Sequence, residues 1–261
     1  MKRTLIFHFY VQDDFEKNLA YKMHFECLSR YAKIFDTAIF HLTGNEKYFK
    51  EIECTLCSMD FKDISFKLRP NDEFCEVSTF KEEIYDKDFI SDDAVFFMHV
   101  KGVSDLNKGS NYADNILHWI WALYFYSLES DFVNEMEMKL FKVFDGRERC
   151  FYGPIMLKNR YLDIGFYPGT AYWLNCNKIH NLIKQKEIDI PLISSRTYCE
   201  QFPSYFNYRF LSGHLELALY DGVVWHYDAD WDFVANYYSE KERFHNGFKE
   251  ITEKIGFSIN E

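Results

Sequence analysis

The chain has 261 residues, of which 48% are hydrophobic and 20% aromatic, with no long polar or low-complexity tract, so a disordered protein is excluded and a sizeable core is expected. A formal net charge of −11 argues against nonspecific binding to nucleic acid or anionic lipid, which needs a basic face. Seven scattered cysteines, an odd number, do not make a disulfide framework and fit a reducing cytoplasm.

Met1-Lys-Arg followed by Leu5 to Val11 has the outline of a signal peptide, but Gln12-Asp13-Asp14 follows at once and no small-residue cleavage site appears. Thr4 to Val11 therefore reads as a first strand. Asn18 to Phe35 carries Leu19, Met23, Leu28, Tyr31 and Ile34 in near-helical spacing, and Thr37 to Leu42 is a second strand. Strand, helix, strand predicts a βαβ start, a parallel sheet and a right-handed crossover. Cys54-Thr-Leu-Cys57 is a lone CxxC with no second pair to complete a zinc site, and chance spacing accounts for it. Phe61 to Leu68 adds a strand closed by Arg69-Pro70-Asn71-Asp72, and Ser78 to Tyr85 is helical. Val95 to Met98 has no polar residue to alternate with, which suits a central strand buried on both faces. A polar loop from Ser104 to Asn111 leads to helices at Asp114 to Leu128 and Phe132 to Val143. The apolar segment Ile116 to Leu128 is interrupted by His118 and falls short of the ~18 residues of a membrane span, so no transmembrane segment is expected. Cys150 to Leu157 is strand-like, Tyr167-Pro168-Gly169-Thr170 is a turn before Ala171 to Leu174, and Lys178 to Lys186 is helical. Leu211 to Tyr220 reads as a helix, followed by strand-like Val223 to Tyr227 and an aromatic, charged tail. No repeat or linker appears, so residues 1–261 form one α/β domain.

The apolar run ends abruptly on His99-Val-Lys101-Gly102. Ligands of open α/β sheets bind beyond the carboxyl ends of such strands. His99 and Lys101 are two apart, so both side chains are expected on one side of the strand, converging on one group. An ammonium and an imidazole suit a diphosphate whose charge grows as it departs. Gly102 allows a sharp turn or a close approach to the ligand. The same residues also suit a solvated strand end and a half-buried histidine. Asp13 and Asp14, after the first strand, are placed to meet a ribose or base, or simply to form a turn. Tyr10, Trp119, Tyr172 and Trp173 are candidates to stack on a base or sugar, although most aromatics are core. Asp228-Ala-Asp230, with His226 just before, supplies ligands suited to Mn²⁺, and its spacing suits a solvated acidic loop as well.

Phe96-Phe-Met-His-Val-Lys-Gly-Val-Ser104 resembles the YxHxKG(V/L)S signature of a family of small glycosyltransferase-like proteins found in bacterial surface-polysaccharide and viral gene sets. Upstream, Glu76-Val-Ser-Thr79-Phe80 is similar to that family's Glu-x-x-Thr-(Leu/Phe) element. Downstream, a Trp-containing helix, Phe151-Tyr-Gly153 and Tyr167-Pro-Gly-Thr-Ala-Tyr-Trp173 follow in the family's order, over roughly residues 74–180 in all. The resemblance implies a GT-A-like (Rossmann-like) fold, a mixed, mostly parallel sheet flanked by helices. Residues 1–103 would be the nucleotide-sugar-binding half, and 104–261 the acceptor-binding half with its tail. It implies donor contacts from Glu76, Thr79, His99, Lys101 and Gly102, to which Tyr10 and Asp13 are expected to add theirs, and acceptor contacts from Gly169, Tyr172 and Trp173. Glu216 would be the base if transfer inverts and would only orient the acceptor if it retains, and the residue reads equally as a helix-surface glutamate. Two departures stand out: the acceptor segment lacks the family's Asn and double Trp, and His99-Val-Lys101 occupies the place where typical GT-A enzymes carry Asp-x-Asp. Two cationic donors cannot hold a divalent metal as carboxylates do, but they can neutralise a diphosphate directly. No cofactor is then required, with Mn²⁺ or Mg²⁺ at His226, Asp228 and Asp230 the other arrangement. The function expected is transfer of a sugar from a nucleotide-diphosphate donor to a carbohydrate acceptor in cytoplasmic surface-glycan synthesis. The alternatives are a nucleotidyl or phosphoryl transferase on a similar sheet, for which no Walker-type glycine loop is present, or a noncatalytic nucleotide- or glycan-binding module.

Overall fold

The computed structural model describes residues 1–69, 76–87, 93–104, 106, 113–142, 148–159, 164–167, 170–185, 198–206, 208–218 and 240–258. The N-terminal half alternates strands and helices: β1 (Arg3–Val11), α1 (Leu19–Tyr31), β2 (Thr37–Gly44), α2 (Phe49–Cys57), β3 (Ile64–Leu68), α3 (Glu76–Phe80) running into a π turn (Lys81–Tyr85), and β4 (Ala94–His99). The second half contains α4 (Ala113–Leu128), α5 (Ser130–Phe141), β5 (Phe151–Asn159), β6 (Ile164–Phe166), β7 (Tyr172–Asn175), α6 (Cys176–Lys184), α7 (Tyr198–Gln201), β8 (Leu211–Ala218) and α8 (Lys241–Lys254).

The strands join one mixed sheet in the order β3-β2-β1-β4-β7-β5-β6, with β8 paired to β5. Pairing is parallel from β3 through β4 and again between β5 and β8, and antiparallel where β7 and β6 join. Both faces of β4 are buried, as its uninterrupted apolar run demands. Phe96 and Met98 join Leu5, Phe7 and Phe9 under α1, α4 and α8, while Val95 and Phe97 join Ile6 under α3 and α6. A mixed, mostly parallel sheet with helices on both faces is the α/β class expected.

The helix expected at Leu211 to Tyr220 is instead β8. Leu211, Gly213, Leu215 and Leu217 alternate with Ser212, His214, Glu216 and Ala218, a period of two that a helix cannot use. Backbone pairing along Phe151 to Lys158 provides its partner. The helices α2 and α8 lie where the sequence suggested only a CxxC and a charged tail, and the segment 223–227 lies outside the described residues. The six described cysteines, Cys54 and Cys57 among them, are free. Among the described residues no helix is long and apolar enough to cross a membrane.

Candidate functional site

The chain runs from β1 outward to β2 and β3, then returns to place β4 on the other side of β1. This reversal opens a crevice at the carboxyl ends of β1 and β4, the usual ligand position in such sheets. Four polar ties fix the two loops that frame it. Asn18 caps α1 by accepting from the Ala20 N–H (3.0 Å), and its Nδ2 donates to the Val103 carbonyl (2.9 Å) and to Asp14 Oδ2 (3.0 Å). Gln12 Nε2 donates to Ser104 Oγ (2.9 Å). The Tyr21 hydroxyl accepts from the Gln12 N–H (2.8 Å) and donates to the Tyr10 carbonyl (2.9 Å). His24 Nε2 lies within hydrogen-bond reach of both the Lys101 N–H (2.9 Å) and the Lys101 carbonyl (3.0 Å), and its Nδ1 bonds the Tyr124 hydroxyl (2.9 Å). Burial, above all, holds His24 at about 3, so it is a neutral bracket for the turn after β4. Gly102 makes that turn at φ +79°, and a Cβ there would stand 2.5 Å from Ile116 Cγ2.

Beside the crevice, the ends of β1 and β2 form an open cleft of about 580 Å³ lined by Tyr10, Val11, Gln12, Asp13, Asp14, Gly44 and Asn45. Gly44 has φ +100°, and a Cβ would come within 2.2 Å of the Val11 carbonyl oxygen, so only glycine lets the β2 end approach β1 this closely. Asn45 is wholly committed to this geometry. Its N–H donates to the Val11 carbonyl (2.8 Å), its Oδ1 accepts from the Lys47 N–H (3.0 Å), and its Nδ2 donates to Asp13 Oδ1 (2.7 Å). The exposed Asp13 carboxylate is thereby aimed, and half-buried Tyr10 adds an aromatic wall. An acidic, hydrogen-bonding, partly aromatic cleft suits the hydroxyls and ring of a nucleoside and repels its phosphates.

A polar seam lies on the α3 face. The register aligns His41 of β2, His8 of β1 and His99 of β4 in one row across three adjacent strands. Each meets a residue of the α3 segment: His41 Nε2 donates to Glu83 Oε1 (3.1 Å), His8 Nδ1 bonds Thr79 Oγ1 (2.9 Å), and His99 Nδ1 stands 3.3 Å from Glu76 Oε1. Burial, above all, keeps His8 at about 3 and pulls His41 down, where the Arg69 Nε–H donating to its Nδ1 (2.6 Å) also favours the neutral ring. Burial by itself would raise the Glu76 and Glu83 carboxyls. The facing His99 outweighs it for Glu76, and His41 with Lys67 for Glu83, so both sit at about 2. Ligand atoms of His41, Glu82 and Glu83 lie within 4.8 Å of one another, the one such grouping among the described residues. Lys67 pairs with both glutamates and Arg69 with Glu82, so an ammonium and a guanidinium already supply the positive charge a metal would bring.

The convergence expected of His99 and Lys101 does not occur. The imidazole faces Glu76 of α3, whereas the ammonium lies 5.4 Å from the ring centre of Trp119 on α4, across the sheet. Strand alternation ends at His99, and the turn at Gly102 redirects the lysine. Glu76 and Thr79, expected against the donor, are engaged with the histidines instead. Tyr172 and Trp173, expected at the acceptor, are fully buried. Trp173 packs on Phe35 and Phe96 and donates to the Ser127 carbonyl (3.0 Å), and Tyr172 donates to the Cys199 carbonyl (2.8 Å). β7 passes through the middle of the sheet, and its side chains are core for that reason. Trp119, 5% exposed, is also core. Phe96 and Tyr152 both pair with Trp173, and Tyr152 pairs with Ser212, so Glu216 and Met156 lie level with Val100. The Glu216 backbone thus sits at the same carboxyl edge as β4, three strand spacings or roughly 14 Å away. Gly169, His226, Asp228 and Asp230 lie outside the described residues.

No family model matches this chain, and no curated protein matches it. Among solved structures, 4-diphosphocytidyl-2C-methyl-D-erythritol synthase from Anaerococcus prevotii is similar at 11% identity and a TM-score of 0.43, over 93% of this chain and 96% of that one.

The sequence reading missed Gln12, Gly44 and Asn45. The available signal was Gly44-Asn45 directly after an apolar strand, a pair suited to positive φ followed by a side chain that bonds backbone.

Proposed function

We propose that this protein is a nucleotide-dependent transferase that moves a sugar from a nucleoside-diphosphate donor to a carbohydrate acceptor. The observation that carries the reading is the Tyr10–Asp14 and Gly44–Asn45 cleft, which has nucleoside-type chemistry and opens beside the β1/β4 crevice. The ribose and base take Asp13, held by Asn45, with Tyr10 alongside. The acids of the cleft turn the diphosphate towards the end of β4, where Lys101 meets the charge that grows on the leaving group. Glu216, at the same edge of the sheet, is the candidate base of an inverting transfer, with the acceptor between it and β4. The resemblance of residues 96–104 to the small glycosyltransferase-like family supports a sugar as the group transferred, and that family's setting supports surface-glycan synthesis in the cytoplasm.

Nucleotidyl transfer would use the same nucleoside cleft with a triphosphate, and one screen separates the two. Thermal unfolding is followed with UDP, GDP, CDP, ADP and the matching triphosphates, each with and without Mn²⁺. A ligand that binds only the folded state raises the midpoint. Stabilisation by one diphosphate at least as strong as by its triphosphate is the expected result. Preference for a triphosphate would favour nucleotidyl transfer, and indifference to every nucleotide would refute both.

A further inference from the structure

Asn18, Tyr21 and His24, spaced by three along one side of α1, are buried, and each bonds a loop at the carboxyl end of the sheet. Tyr21 holds the backbone of Tyr10 and Gln12 at the cleft, and His24 holds the Lys101 backbone after β4. Asn18 bonds both loops. Its Nδ2 has two hydrogens, one given to Asp14 Oδ2 in the cleft and the other to the Val103 carbonyl, while its Oδ1 caps α1. We propose that Asn18 is a positioning residue that joins the cleft to the turn after β4, so that a nucleoside in the cleft and a diphosphate at the end of β4 bind cooperatively. This rests on the nucleotide-transferase reading above, and it gives that reading an energetic link between the two ends of the donor.

The surroundings of Asn18 fit that role. Ala20, Met23, Cys27 and Leu28 pack α1 into the core, so the helix is a fixed base for both loops. Val103 stands two residues after Lys101, and a shift of its carbonyl carries the Lys101 backbone with it. The bond from Gln12 Nε2 to Ser104 Oγ spans the same gap at the surface, so two residues lining the cleft, Gln12 and Asp14, are linked to consecutive residues of the turn. Water competes with that exposed outer tie, whereas the bond from Asn18 to Val103 is buried and costs more to lose. Restraint of either loop by a ligand is passed through the shared amide to the other, which lowers the ordering cost of the second contact.

The test compares the full wild-type chain with Asn18→Ser, whose hydroxyl still caps α1 but which has no Nδ2. Calorimetric titration gives the affinities of UDP, GDP, CDP and ADP and of the matching nucleosides, and thermal midpoints report whether the variant is folded. One diphosphate should bind wild type more tightly than its nucleoside, and Asn18→Ser should cut that ratio by about tenfold, the scale of one buried tie, with nucleoside affinity little changed. A role in capping alone would move the midpoint and leave the ratio as it was. Hydrogen exchange of the ligand-free chain reads the link without a nucleotide: residues 12–14 and 103–106 should both exchange faster in Asn18→Ser. If Asn18→Ser does not fold, Gln12→Ala cuts the outer tie and should lower the same ratio by a smaller factor. An unchanged ratio in the folded variant, or faster exchange in one loop only, would overturn the link and leave the nucleotide reading standing. Failure of wild type to bind any of these nucleotides would overturn the reading and the cooperativity together.

Discussion

On the proposed reading, nucleoside recognition turns on Asp13 and Gly44, which act by different physics. Asp13 contributes a charge in a fixed direction, because Asn45 holds one of its oxygens. Asp13→Asn should therefore lower nucleoside-diphosphate affinity about tenfold while leaving the unfolding midpoint near wild type, since the group is exposed and its loss touches no packing. Unchanged affinity in titration calorimetry would remove Asp13 from the site. Gly44 contributes its lack of a side chain. Gly44→Ala must place a Cβ against the Val11 carbonyl oxygen at a positive φ, and should cost about 1–3 kcal/mol in denaturant unfolding and distort the cleft. Lys101→Ala should weaken diphosphates more than the free nucleoside, because the proposed reading assigns its ammonium to the phosphate end. Equal loss for both ligands in the same titrations would reassign it to the Trp119 contact.

At the scale of elements, the α3 segment and the three strands beneath it form a unit that acid should loosen. His8 and His24 ionise in the folded protein only near pH 3, whereas in the unfolded chain they take up protons near 6.5. Between those values the unfolded state binds more protons, so stability falls as pH drops from about 6.5 towards 3, by up to roughly 1.4 kcal/mol per pH unit for each histidine. Glu76 and Glu83, depressed from 4.5 to about 2, add stability that is present above pH 4.5 and lost below it, in the same direction. Urea unfolding at pH 7 and pH 5 should show lower stability at pH 5, and His8→Gln should reduce the difference. Equal stability at both values would contradict a buried, neutral His8 and His24. Little of this unit was legible in the sequence. The double burial of β4 was, because four consecutive apolar residues leave no polar face. The row of His41, His8 and His99 was not, because interstrand register brings together residues 33 to 91 positions apart, and no local pattern encodes it. β8 was misread because its apolar residues were weighed as content rather than as an alternation. The role expected of Trp173 failed because a turn before an aromatic pair does not reveal that the pair enters a central strand.

At the scale of the molecule, the sheet divides the work. Its parallel half presents the cleft and the end of β4 to which the proposed reading assigns the nucleoside and its phosphates, and its mixed half carries β8 to the same carboxyl edge. On the proposed reading the cations that meet the phosphates are local exceptions to a net charge of −11, so electrostatics should confine polyphosphate to the β4 end. The most direct test of this account is a crystal structure of the protein soaked with the nucleoside diphosphate that stabilises it best. The account predicts the ribose and base on Tyr10, Asp13 and Asn45, with the diphosphate at the end of β4 within hydrogen-bond reach of Lys101. A nucleotide bound elsewhere, or one whose phosphates point away from the end of β4, would contradict it.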